Sequence, residues 1–110
     1  MVLGSHTVNH PVMSKLSAEE QEKEIVVSFQ VIESITGKSA LKTFCCPYGG
    51  FHTFTPRTEA SLEKHACLFS FNVEARDIGK KDLASRRQAL PRFDCNAFPY
   101  GSCRPVGLLE

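Results

Sequence analysis

Gly4-Ser5-His6-Thr7-Val8-Asn9-His10-Pro11, followed shortly by Ser17-Ala18-Glu19-Glu20, is the stretch on which the fold reading turns. The apolar Met1-Val2-Leu3 ahead of it has the character of the end of a short buried strand, and Gly4 frees the backbone to turn out of it. Pro11 biases His10 away from helical geometry, so both histidines are expected on a loop or a single turn. Their spacing alone also fits one face of a helix. Ser17 to Glu20 forms a capping box, in which hydroxyl and carboxylate each satisfy an unpaired backbone N–H. The acidic first turn suits the helix dipole. Ile25, Phe29 and Ile32 then recur at helical spacing, with Val31 and Ile35 widening the apolar stripe, and Gly37 terminates it. The pattern predicts a helix from roughly Ala18 to Thr36, its stripe serving as core.

Downstream the period changes. Thr43-Phe44-Cys45-Cys46 is a β-prone run stopped by Pro47, and Gly49-Gly50 makes a loop. Thr55-Pro56 marks a second helix start, running to about Lys64, since proline suits the first helical position. Cys67 to Phe71 is the next strand expected, Asn72 to Gln88 a charged loop with a helical turn, and Ala89 to Phe93 one more strand. Strand, helix, strand, helix, strand is the pattern of an α/β fold with a parallel sheet. Three or four strands make a small platform, and parallel sheets normally have both faces covered. One domain is expected over residues 1–95, with an irregular tail over 96–110.

The bulk properties are those of an ordinary globular chain: 110 residues, 42% hydrophobic and 23% charged. A formal charge of +1 gives no electrostatic case for nucleic acid, and Lys80-Lys81 and Arg86-Arg87 suit solvated loops. No apolar run reaches membrane-spanning length and no signal-peptide pattern opens the chain, so as written it is expected to be cytoplasmic. Cys45, Cys46, Cys67, Cys95 and Cys103 are odd in number and lack a CxxC spacing. Thiols in a reducing compartment fit better than a disulfide framework or a zinc ribbon.

Two imidazoles four positions apart are a start on a metal site, since histidine is the commonest zinc ligand. Spacing alone favours polar loop residues; the Ser-His-Thr…His-Pro context reverses that preference. Cys45 and Cys46, adjacent on a strand, point to opposite faces and do not share one small ion, so at least one is expected in the core. His52 and His65 stand out in no way, although His65, following a helix, suits the dipole there.

These blocks, in order, resemble the polysaccharide deacetylase family (NodB homology, carbohydrate esterase family 4). The resemblance rests on Gly4 to Pro11, Leu16 to Glu20 with the Glu24-Ile25 pair, Pro47-Tyr48-Gly49-Gly50 preceded by Phe44, Phe69-Ser70, and Leu90-Pro91-Arg92. It implies part of a distorted (β/α) barrel and a metal-dependent hydrolase that removes acetyl groups from N-acetylated carbohydrates. His6 and His10 fall on the positions that hold the divalent metal, normally zinc, together with an aspartate. Tyr48 matches the tyrosine beside which a backbone N–H holds the developing oxyanion. Pro47, Tyr48 and Arg92 are the residues expected to contact substrate.

The departures are equally specific. The family's metal-binding and general-base aspartates precede the histidine motif, and Asp77, Asp82 and Asp94 lie downstream in segments that do not match. The arginine many members carry before the PY pair is cysteine here, and the late leucine-x-histidine motif has no counterpart. Two expectations follow: a carbohydrate N-deacetylase whose aspartates come from elsewhere, or a truncated, inactive remnant keeping weak metal or carbohydrate binding. A partial barrel also exposes a sheet edge, from which self-association is expected.

Overall fold

The computed structural model describes residues 2–37 and 41–94. Five regular elements follow a short 3-10 turn at Met13–Lys15: α1 (Ala18–Thr36), β1 (Thr43–Cys45), α2 (Pro56–Lys64), β2 (Phe69–Phe71) and α3 (Lys80–Ser85). The Ser17 cap is formed as expected. Ser17 Oγ accepts from the Glu20 N–H, and a Glu20 carboxylate oxygen accepts from the Ser17 N–H, each at 3.2 Å.

β1 and β2 run parallel, with Thr43 opposite Phe69 and Cys45 opposite Phe71. A single parallel bridge joins Ser5 to Phe44 on one side, and another joins Phe71 to Leu90 on the other. Four extended segments therefore lie side by side in chain order. The sheet is mixed with helices as an α/β fold requires, but among the described residues it is open, and these residues close no barrel.

Both outer segments are shorter than the sequence predicts. Val2 and Leu3 are exposed and have no sheet partner among the described residues; pairing begins at Ser5, whose N–H donates to Thr43 O at 2.8 Å. At the other edge Leu90 alone pairs with β2 among the described residues, its N–H donating to Ser70 O and its C=O accepting from the Asn72 N–H, both at 2.9 Å. The expected Cys67 to Phe71 strand begins at Phe69, and the charged loop contains α3. The tail expected over 96–110 lies outside the described residues.

One face of the sheet carries the core. Phe44 lies 6.4 Å ring to ring from Phe29 of α1, and the Ser5 hydroxyl meets that of Ser28. Met13, Ile25, Cys46, Phe54 and Leu62 complete this layer. Cys46 is thus the core cysteine of its pair, while Cys45 faces the other way and is half-buried. Thr43, Cys45, Phe69 and Phe71 all remain partly accessible on that second face. The α1 stripe holds for Ile25 and Phe29, with Ile32 at its border, but Val31 and Ile35 are exposed and do not widen it. The helix outruns the sheet. Nineteen residues span roughly 28 Å at 1.5 Å each, against roughly 10 Å for a three-residue strand.

Candidate metal centre

Parallel strands in register bring the residues just beyond their ends onto one rim. His6 comes directly after the Ser5 bridge, Pro47 and Tyr48 just beyond β1, Asn72 directly after β2, and Arg92 two positions past Leu90. This is the carboxyl-terminal end of the strands, where α/β sheets collect their functional loops.

Residues 6–11 form a loop, as Pro11 predicts. His6 Nδ1 lies 2.6 Å from the Cys45 carbonyl oxygen, so Nδ1 carries the proton and donates it. That leaves Nε2 of the same ring with a free lone pair, the arrangement a metal-ligating histidine needs. His6 Nε2 and His10 Nε2 converge to 3.0 Å, with ring centroids 4.7 Å apart at 65°. Two nitrogens bound to one tetrahedral zinc at ordinary bond lengths sit about 3.3 Å apart. The pair therefore fits two positions of a metal site with little adjustment. Without an ion, His10 Nε2–H donates to His6 Nε2.

The ring of Tyr48 stands 4.8 Å from that of His10, edge to face, and is largely exposed. His6, His10 and Tyr48 are neighbours here, whereas Pro47, which the sequence led us to expect against the substrate, has a fully buried side chain that offers it no surface. Arg92 lies on the same rim, half-buried; its Nε is buried and without a hydrogen-bond partner among the described residues. No cluster of three or more His, Cys, Asp or Glu side chains able to hold a metal ion occurs among the described residues. Asp82 is not available for the task, since Arg76 takes both of its carboxylate oxygens at 2.7 and 2.9 Å.

Three backbone positions around the pair are left-handed: Thr7 (φ +66°), His10 (φ +56°) and Tyr48 (φ +68°). Such conformations cost a side-chain-bearing residue on the order of 1 kcal/mol each and persist only where surroundings impose them. Thr7 Oγ1 accepts from the His10 N–H at 3.0 Å, holding one of them. Glu24 of α1 reaches the same loop. Its Oε1 accepts from the Asn9 N–H (2.8 Å) and the Val8 N–H (3.2 Å), and its Oε2 from Asn9 Nδ2 (2.8 Å).

Glu24 and Thr7 are site residues that the sequence reading did not assign. The signal for Glu24 was present: it falls at helical spacing with Gln21, Ile25 and Ser28, all buried. A carboxylate on the inward face of a helix requires partners. Asn72 was missed altogether. It is fully buried on the same rim, and neither atom of its amide has a partner among the described residues.

Fold and rim together define an α/β protein whose strand ends present a histidine pair suited to a divalent metal. The family model for polysaccharide deacetylase matches residues 1–68, more than half of the chain, and the chain belongs to that family. Arg92 and Asn72 lie beyond the matched residues. No curated protein and no solved structure matches the chain significantly. No helix among the described residues is long and apolar enough to cross a membrane.

Proposed function

We propose that this chain serves the metal-dependent hydrolysis of N-acetyl groups on sugars, a carbon–nitrogen cleavage outside peptide bonds, and that its sheet is part of a distorted (β/α) barrel. The observation that carries the reading is the convergence of His6 Nε2 and His10 Nε2 at 3.0 Å, backed by the Cys45 carbonyl. The order of the four extended segments, each beside the next in the chain, supports the barrel. When bound, a divalent ion, normally zinc in this family, supplies Lewis acidity toward an acetyl carbonyl and toward water.

The chain's own residues have separate tasks. His6 and His10 hold the ion, and the Cys45 carbonyl keeps the His6 proton on Nδ1. Tyr48, largely exposed, forms the wall against which the sugar lies, with the buried Pro47 shaping the turn behind it and a backbone N–H beside Tyr48 directed at the developing oxyanion. Arg92 supplies a positive group on the same rim. The general base and third ligand are aspartates that precede the histidine motif in the family.

A second reading is a chain that binds metal or carbohydrate without turning it over. It is favoured by the absence of a third ligand beside the two histidines among the described residues. Acetate release from N-acetylglucosamine oligomers, with zinc added, separates the two. Turnover by the native chain but not by a His6→Ala/His10→Ala variant supports hydrolysis. Zinc binding that depends on both histidines, without acetate release, supports the second reading.

A further inference from the structure

The geometry points to Glu24 as the positioning residue that presets His6 and His10 for a metal ion, an inference that rests on the metal reading above. The histidine loop has no regular secondary structure, and Thr7 and His10 within it hold left-handed backbone. Something outside the loop has to fix it. Two anchors from outside do so, and a third bond within the loop assists them. The Cys45 carbonyl takes the His6 ring, the Thr7 hydroxyl takes the His10 N–H, and Glu24 takes the segment between the two histidines.

Glu24 is the strongest of the three by its chemistry. It accepts three hydrogen bonds and, as a residue, is only 9% exposed. Hydrogen bonds to an ionised acceptor are about twice as strong as neutral ones. Its own position is set by α1, whose neighbouring Ile25 and Ser28 are buried against the sheet. No cationic side chain pairs with it among the described residues, so its charge is answered by the loop's own N–H groups. A buried helix carboxylate spent wholly on the loop between two ligands ties that loop to the rigid core.

The test is zinc titration of the full chain, native and with Glu24→Gln, alongside a His6→Ala/His10→Ala control. Glu24→Gln keeps one acceptor but turns an NH2 group toward the Asn9 NH2. Outer partners of metal ligands are typically worth about 10–100-fold in affinity, and a loss in that range is expected. Adding Asn9→Asp to Glu24→Gln reverses donor and acceptor, and most of the affinity should return, which a merely structural role does not predict. A metal-free readout accompanies it. Imidazole 1H–15N spectra should show one defined His6–His10 arrangement in the native chain and exchange-broadened signals in Glu24→Gln. Should Glu24→Gln fail to fold, Asn9→Ala leaves α1 intact and is expected to lose affinity severalfold. Equal affinity in the native chain and the Glu24→Gln or Asn9→Ala variant, while the histidine control binds far more weakly, overturns the role of Glu24 alone. A native chain binding no better than the histidine control overturns the metal reading and this inference together.

Discussion

Tyr48 and Gly49 turn the chain away from β1 with consecutive left-handed backbones, φ +68° and +79°. At Gly49 there is a second demand. A Cβ there would stand 2.4 Å from Val73 Cγ2 and 3.0 Å from Val73 N, whose N–H donates to Gly49 O at 2.7 Å. Gly49→Ala is therefore expected to destabilise the fold by about 1–3 kcal/mol, through strain and displaced packing, read as a lowered denaturation midpoint. An unchanged midpoint would mean that the loop rearranges freely. The thiols make a separate case. Burial pushes Cys46 up to about 11 and Cys67 up to about 12, with the Thr53 and Phe69 hydrogen bonds only partly opposing it. Nucleophilic thiolate is therefore scarce at both near neutral pH. Peptide mapping after brief alkylation at pH 8 should find both protected in the folded chain, with Cys45 modified ahead of them. The linkage has a definite sign. These raised values leave stability complete below the unfolded thiol range, near 8.5. It is lost as pH climbs through about 11 and 12.

The helices were readable in the sequence because their signals are local. Ser17, Glu20 and the Ile25–Phe29 spacing fixed α1, and Thr55-Pro56 fixed α2, whose limits match the reading. Ser17→Ala should accordingly cost about 1 kcal/mol, visible in chemical denaturation. Edge strands were less readable, since their length depends on which backbone groups find partners. Among the described residues the Leu90 segment pairs once, and Val2 and Leu3 have no partner in the sheet. The histidine pair and Tyr48 were readable from motif context. Glu24 was not assigned because its task appears only when the loop folds back on the helix. The α3 helix shows the same limit. It is organised by Arg76, which binds Glu74 and Asp82, while Asp82 also accepts from the Gly79 N–H at 2.7 Å. The Arg76 guanidinium, then the Gly79 N–H, lower the Asp82 carboxyl to about 2. The depressed value means that the network's contribution is present above the ordinary aspartate range. It is lost as pH falls through about 2. The Gly79 amide resonance should follow that midpoint, and because the network is exposed, added salt should raise it.

A parallel sheet is ordinarily covered on both faces; among the described residues this one is covered more fully on the first, although Leu90, beside Phe71 on the second, is buried. Helix α1 and the Phe44 layer seal the first face, while Cys45, Phe69 and Phe71 leave the second partly open to water. The Ser5 edge adds to the imbalance. Val2, Leu3 and Val8 are exposed along it, and Val31 and Ile35 are exposed on the adjoining helix. A shallow groove lined by Gly4, His6, Val8, Val31 and Ile32 runs between edge and helix. Exposed apolar surface beside an unpaired strand edge favours pairing with another chain, and a charge placed on the edge opposes it. The expected result for the purified chain is concentration-dependent self-association by sedimentation velocity. Leu3→Lys should shift the distribution toward monomer, and Val31→Lys should add to that shift, since one residue flanks the edge and the other the groove. Both side chains are exposed, so neither change should lower the denaturation midpoint much, which separates loss of association from loss of fold. A single monomer boundary independent of loading would sink the expectation, and it would show that the half-open sheet tolerates water without a partner.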